Sequence, residues 1–437
     1  MTFKRYELTI PVELTSELHI GGVDPVPDRD GEGTVIRFNR NGLKEPTIPG
    51  RSIRGAVRAA CNVLWEERKL KDDPLAAGNG IFSDSNWESL WGDNLAHHEG
   101  NSPDDVLPVR RSALTFHAVS FPADQPMTTR HGVGIDRTTG AASDGALYEH
   151  EFLPRGTRFT IRITAEGRDD EQKDDTERKD NKQSEGIPGP ASSESVKKLL
   201  EVMVDVLTSG AVCLGGRTGS GQGTIQVIEP KLRRTGKTTD AGALTAPADV
   251  FDALIGEDEE GTPIPLERGG WSLEEPARIK ITWWSPTGIF VAEDEKLTKQ
   301  RKAQKEAENR KKCIDEEVHE VVYPLRDPSE EWENAQLLIP GTSIRGALRS
   351  RASRIARTVL AARDELSTFT SHDLHEQIAA EPNLVRYMFG STEYRGAVTV
   401  HDCLSTDPGK CIEVTHNAID RWTGGVIDGG LFTEAVY

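Results

Sequence analysis

Nowhere in the 437 residues is there an apolar run long enough to cross a bilayer, which excludes a helical membrane protein. The opening stretch, MTFKRYELTIPVEL, alternates polar and apolar residues like a strand and has no continuous apolar stretch of signal-peptide type, so a cytoplasmic protein is expected. Cysteine is scarce: Cys61, Cys213, Cys313, Cys403 and Cys411 are odd in number, scattered and free of any CxxC pair, which argues against a disulfide framework. Cys403, Cys411 and His401 lie near one another, but their spacing is that of no usual zinc finger or ribbon, and no metal ligands are assigned. Basic residues are also in deficit, 53 Lys and Arg against 71 Asp and Glu for a net charge of -18. Such a balance ordinarily counts against nucleic acid, because phosphate binding relies on cations displacing counterions.

The distribution of charge matters more than its sum. Glu166 to Glu185 carries nine acidic and five basic residues with almost nothing apolar, and Glu257 to Glu260 is an acidic knot among Gly and Pro. Both read as solvated loops or linkers. With these set aside, the remaining landmarks are locally basic, with Arg51, Arg54 and Arg58 in one place and Arg345, Arg349 and Arg351 in another.

Those two places are copies of one motif. Ile48 to Arg58 reads IPGRSIRGAVR and Ile339 to Arg349 reads IPGTSIRGALR, nine identities in eleven positions. A second matching pair follows in the same order, IDRTTGAASDGALY at Ile135 to Tyr148 and IDRWTGGVIDGGLF at Ile419 to Phe432. Between them LWGD at Leu90 to Asp93 echoes MFGS at Met388 to Ser391. Shared order across domain-sized spacings implies one fold used twice.

The organisation expected from these landmarks is a first unit over residues 1–230, a linker over 231–275 and a second unit over 276–437. Tyr6 to Ile10 and Arg158 to Thr164 alternate as half-buried strands, and Val196 to Leu207 has helical apolar spacing. A glycine cluster, GGRTGSGQG at Gly215 to Gly223, precedes a last strand at Thr224 to Ile228. The second unit is expected to open with a strand at Arg278 to Trp284 and to carry a charged, solvent-facing helical insertion at Glu293 to Glu320. Its counterpart of the closing helix, glycine cluster and last strand does not follow the second IDR block. Completion by another chain, or a longer polypeptide, is the expectation.

In the first motif Pro49 and Gly50 break the chain, Ser52 is placed to cap the helix that follows, and Ile53, Val57, Ala60 and Leu64 form its buried stripe. Arg54 and Arg58, four apart, project together near a positive helix start, which suits a phosphate. The competing reading is structural: Gly55 permits close helix packing, and the arginines pair with surface acids. The glycine cluster is no Walker motif, since no GK[ST] follows, and a strand rather than a helix comes after it.

Taken together, the N-terminal strand, LHIGG at Leu18 to Gly22, the IPG-x-S-I-R-G-x-x-R helix start, the IDR-x-T-G block and the glycine cluster resemble the RAMP superfamily of CRISPR systems. More narrowly, the chain looks like the backbone subunits of type III effector complexes. The resemblance implies an α+β protein of two tandem ferredoxin-like, RRM-related domains with insertions, one insertion serving as a thumb-like hairpin. It implies CRISPR guide RNA, target RNA and other type III effector subunits as partners, without a membrane. Matching residues for RNA contact are Arg51, Ser52, Arg54, Arg58 and Arg137, then Gly216, Arg217, Ser220 and Gly221, and in the second copy Ser343, Arg345, Arg349 and Arg421.

Target cleavage in this family depends on an aspartate in the loop between LHIGG and IPG. The resemblance implies attack by the target's own 2′-hydroxyl on the adjacent phosphate, with a carboxylate assisting proton transfer or holding a divalent cation such as Mg2+. Here that loop reads DPVPDRDGEGTVIRF, and counting back from Val35 puts Glu32 or Gly33 at the family position, with Asp28 and Asp30 close by. In the second copy the corresponding loop holds the long insertion, and Asp315 or Asp327 is the candidate. Asp136 and Asp420 read as loop organisers bonding to backbone. His131 and His416 read as packing or hydrogen-bonding residues. The alternatives carried beside a cleaving backbone subunit are a scaffold that only holds RNA, an endoribonuclease that processes precursor CRISPR RNA, and a structural protein that binds no RNA.

Overall fold

The computed structural model describes residues 3–22, 26–27, 34–71, 82–92, 112–169, 191–235, 262–267, 277–286, 288–293, 295–312, 321–327, 334–363, 373–391, 393–407 and 412–436. Alternation of Tyr6, Leu8, Ile10, Val12 and Leu14 with polar residues makes the first strand, β1 (Phe3–Leu14), buried on one face and solvated on the other. The IPG motif starts helix α1 (Gly50–Leu70), the LWGD echo ends the short helix α2 (Asp84–Trp91), and helix α3 (Ser193–Thr208) is the most deeply buried of the three. Helix α3 begins as its sequence suggests: Ser192 caps it by accepting a hydrogen bond from the Ser195 amide.

Around β1 lies an antiparallel sheet. Its strands are β3 (Leu114–Phe116), β6 (Arg158–Arg168), β7 (Ile225–Val227), β8 (Lys231–Thr235) and β9 (Thr262–Ile264), with β6 along one edge of β1 and both β7 and β8 along the other. Helix α1 falls between β1 and β3 in the chain, and α3 between β6 and β7, giving the path β-α-β-β-α-β. Their apolar faces share one core, in which Leu8, Ile10, Ile53, Val57, Ile161, Leu199, Leu200 and Met203 are wholly buried. Each such side chain contributes on the order of 1.5–3 kcal/mol of hydrophobic stabilisation.

Two expectations change here. Strand β8 pairs with β1 over five positions and its Leu232 joins the core, while β9 pairs with β8, so part of the stretch 231–275 belongs to the first unit's sheet rather than to a linker. Residues 277–286 form no strand: Ile279, Ile281 and Trp284 are exposed, and no neighbouring strand among the described residues supplies the ladder their alternation calls for.

Beside the sheet stands a hairpin of β4 (Thr128–Ile135) and β5 (Ala142–Phe152), to which β2 (Thr34–Ile36) adds in parallel. The second unit repeats it with β10 (Ile412–Ile419) and β11 (Val426–Val436), and Val321–Val322 pairs in parallel with β11. The likeness extends to irregularity, since both hairpins shift register next to the IDR block, between Val133 and Ile135 and between Asn417 and Ile419. The charged helix α4 (Glu295–Lys312) lies within the insertion, as its composition predicts. Helix α5 (Gly341–Ala361) carries the second IPG motif, followed by the short α6 (Leu374–Ala379) and α7 (Asn383–Phe389). Among the described residues no helix is long and apolar enough to cross a membrane.

Candidate nucleic-acid interface

The two IPG helix starts are built alike. Pro49 and Pro340 are the N-caps, with φ of -64° and -59°, and neither helix takes a side-chain cap. Ser52 and Ser343 therefore lie inside the first turn instead of capping it. The glycines are required by contact: a Cβ on Gly50 would lie 2.0 Å from the Phe116 carbonyl oxygen, and one on Gly341 would lie 2.4 Å from that of Val400. Gly55 and its copy Gly346 face open space, so they mark no close helix packing. The buried stripe of α1 is Ile53, Val57, Cys61 and Leu64, with Ala60 only partly covered.

The motif arginines reach the end of the next short helix. Arg54 donates to the Trp91 carbonyl at the close of α2, and Arg345 donates to the Phe389 carbonyl at the close of α7. Both acceptors are terminal helix carbonyls without an intrahelical partner, at the negative end of a helix, so a guanidinium there satisfies charge and hydrogen bonding at once. Each helix ends on a glycine with positive φ, Gly92 at 77° and Gly390 at 79°. Arg58 lies over the Trp91 ring at 5.9 Å, while burial and the neighbouring Arg54 lower its pKa. Arg349 instead binds a carboxylate, its Nε donating to Glu381 Oε2 at 3.0 Å, and its Nη2 reaches the Gly390 carbonyl at 3.0 Å.

The first unit's glycine cluster closes over the second unit's helix start. A Cβ on Gly341 would lie 2.7 Å from the Ser220 carbonyl oxygen, and the Val400 amide donates to the Gly219 carbonyl at 3.1 Å. Gly221, with φ of 75°, passes so near His401 that a Cβ would meet its backbone at 2.8 Å. Asp402 accepts from the Gly341 amide at 2.7 Å and holds Arg130 of β4 at 3.3 Å. Arg130 is deeply buried, and although burial opposes its charge, Glu17 at 2.6 Å and Asp402 raise its pKa; burial raises that of Glu17. At the tip of the first hairpin, Asp136 Oδ1 accepts from the Thr138 amide at 2.8 Å and from Gln377 of α6 at 2.7 Å. Arg137 donates to Glu381 Oε1 at 2.8 Å. A further ion pair, Arg155 to Asp327 at 2.9 Å, joins the units elsewhere.

Between the hairpin, the glycine cluster and α5 lies a cleft of ≈ 340 Å³. Arg217 enters it from the cluster with a left-handed backbone, φ 58°, a conformation that costs a non-glycine residue energy. Its guanidinium lies over Tyr148 at 5.0 Å and meets the His150 ring at 3.1 Å. Tyr148 in turn lies across Gly132, where a Cβ would be 2.2 Å from the ring. His150 packs edge-on against His19 at 4.7 Å, and burial together with the charge of Arg217 holds its pKa down to about 3. It is therefore a neutral ring at neutral pH.

The sequence model of the RAMP superfamily matches residues 12–226 and 336–437. The chain belongs to the RAMP superfamily. This superfamily includes CRISPR-associated proteins, and the matched stretches take in both helix starts, both hairpins and the glycine cluster. No curated protein matches the sequence.

For a RAMP protein the disposition of the RNA-contact candidates is uneven. Arg51, Gly216, Ser343 and Arg421 are exposed, and Ser52 is half-buried. Arg421 stands beside Trp422, which is 98% exposed, on a turn where Asp420 accepts from the Trp422 amide, the organising role expected of it. Arg54, Arg137, Arg345 and Arg349 are engaged with protein, while Ser220 and Gly221 lie buried at the junction between the units. Asp28, Asp30, Glu32 and Asp315 lie outside the described residues, as do Cys313 and Cys411. Asp327 is buried and paired with Arg155. No cluster of three or more His, Cys, Asp or Glu that could hold a metal occurs among the described residues. Sequence reasoning passed over Glu17, Arg130, Gln222, Gln377, Glu381 and Asp402, which stand outside the repeated blocks and become partners only through the fold.

Proposed function

We propose that this RAMP protein is a guide-RNA-binding backbone subunit of a type III CRISPR effector complex, made of two units fused in tandem. The β-α-β-β-α-β path of the first unit supports a ferredoxin-like core, and the repeated hairpins support a thumb in each unit. The observation that carries the reading is the junction: the glycine cluster of one unit seats on the helix start of the next, an arrangement suited to modules presented in series to one strand. Among the candidate cations, exposed Arg51 and Arg421 are placed to meet phosphates, while Arg54 and Arg345 set the shape of the helix starts. Target RNA cleavage is assigned to the acids of the loop after LHIGG and of the insertion in the second unit, with a divalent cation as the assisting group.

Purification of the native complex and sequencing of its RNA tests the proposal. Guides of defined length co-purify, and Arg51→Glu with Arg421→Glu weakens their retention. A complex that carries no RNA, or a retention indifferent to both changes, refutes it. Metal-independent cutting of a repeat hairpin by the isolated chain would favour precursor processing instead.

A further inference from the structure

The two copies of the IPG helix carry the same apolar stripe, and the protein buries it only once. In α1 the stripe is Ile53, Val57, Cys61 and Leu64, all covered. The matching positions of α5 are Ile344, Leu348, Ala352 and Ile355, and none of them is buried: Leu348 is 49% exposed and Ile355 53%, with Val359, one turn further on, at 46%. The residues buried in α5 are Gly341 and Ser353 instead. Its inner side is polar, with Arg345 on the Phe389 carbonyl, Arg349 on Glu381, and Arg357 donating to the Ala380 carbonyl at 2.8 Å. A helix that turns arginines inward and an aliphatic stripe outward has the form of half an interface.

The first unit shows what such a face receives. There α3 lies on both α1 and α2, and its Val196, Leu199, Leu200, Met203 and Leu207 are wholly buried. Among the described residues no element takes that place over α5 and α7. The neighbouring helix is opened in the same way: Ser89 and Leu90 of α2 are buried, whereas Tyr387 and Met388, at the matching positions of α7, are exposed.

Charge narrows the occupant further. Helix α5 contains Arg345, Arg349, Arg351, Arg354 and Arg357 and no acidic residue, and Arg351 and Arg354 are exposed on the stripe's side of the helix. An incoming helix with Asp or Glu beside its apolar side meets them favourably. A second copy is a poor match, because its α3 is committed to its own core and two α5 faces would bring arginine against arginine. Nucleic acid would answer the arginines and leave Leu348, Ile355 and Val359 in water.

We propose that this face of α5 and α7 docks an amphipathic helix with acidic flanks, supplied by a separate protein chain. The inference stands on the fold and is independent of the RNA-binding reading.

The test offers the full chain a fluorescent peptide with the sequence of Ser193–Thr208, held helical by a lactam between Glu194 and Lys198, and follows its anisotropy. The peptide binds, and its Lys197→Glu form binds about threefold tighter. In the chain, Leu348→Asp with Ile355→Asp weakens binding about tenfold, and Arg351→Glu with Arg354→Glu about fivefold, the second effect fading as salt is raised. A peptide with Leu200→Asp and Met203→Asp probes the same contact without touching the chain, and it does not bind. Absence of binding, or binding that neither the Leu348 and Ile355 changes nor this peptide variant alters, overturns the inference. Self-association of the chain that Leu348→Asp abolishes assigns the face to a second copy, and retention on phosphatidylserine vesicles without peptide binding assigns it to lipid; either overturns it. None of these results bears on guide retention.

Discussion

Replacing Glu381 by glutamine separates a structural role from an RNA-binding one for two of the motif arginines. The Glu381 side chain is fully buried, and it receives Arg137 from the first unit at 2.8 Å and Arg349 from its own unit at 3.0 Å. Removal of its charge leaves two guanidiniums facing a neutral amide. Breaking a fully buried pair costs ~3–5 kcal/mol, and the partial exposure of both arginines, 20% and 19%, reduces the expected loss to ~2–4 kcal/mol. In a chain this long each kcal/mol moves the melting temperature by about 2 °C, so a fall of ~4–8 °C is expected. A double-mutant cycle with Arg137→Met, followed by denaturant unfolding and tryptophan fluorescence, gives a coupling of ~1–3 kcal/mol, whereas the cycle with Arg54→Met gives under ~0.5 kcal/mol. Zero coupling to Arg137 and unchanged stability, together with lost RNA retention in Arg137→Met alone, would refute the reasoning and return that arginine to the ligand.

Three further outcomes are expected. Gly341→Ala destabilises by ~1–3 kcal/mol, because the methyl meets main-chain oxygens of two segments, while Gly346→Ala, facing open space in the same helix, stabilises by ~0.5–1 kcal/mol; opposite shifts in calorimetry check the pair. His150 has its folded pKa depressed from 6.5 to about 3, so its contribution is present above pH 6.5 and is lost as pH falls toward 3; melting temperature against pH is shallower in His150→Phe, and an unchanged slope counts against the buried neutral ring. Of single alanine substitutions at Asp28, Asp30, Glu32 and Asp315 in the assembled complex, the one at the serving acid of a unit abolishes target cutting there, and unaltered cutting in all four removes cleavage from these acids.

Much of the fold was legible because local pattern and tertiary role agree. The alternation from Tyr6 to Ile10 and the helical spacing from Val196 to Leu207 fall within β1 and α3, both of which bury the face that the pattern marks. Both copies of the IPG motif open helices, α1 and α5, as the residues alone suggest. Failures came where the outcome depends on partners distant in sequence. The alternation at Arg278 to Trp284 is a valid strand pattern without a ladder to join, and Lys231 to Thr235, basic and short, becomes a strand because β1 has a free edge. Pairing of the motif arginines with acids was readable as the competing structural reading, and Arg349 meets Glu381, but the carbonyl acceptors of Arg54 and Arg345, about forty residues away, were not, since composition is blind to them. Likewise nothing in the sequence marks Gln377 and Glu381 as the seat of Arg137, because a Gln and a Glu one turn apart look like any solvated helix face.

Beside its side-chain pairs, the seam at Gly341 includes main-chain contacts: the Ser220 carbonyl lies against Gly341 and the Gly219 carbonyl accepts from the Val400 amide. Rotamers would let the two modules breathe against each other by the swing of a methylene, whereas peptide planes wedged at van der Waals distance have little latitude. The interval from Pro49 to Pro340 is thus held in part by close main-chain contact, which leaves the two helix starts little room to slide against each other.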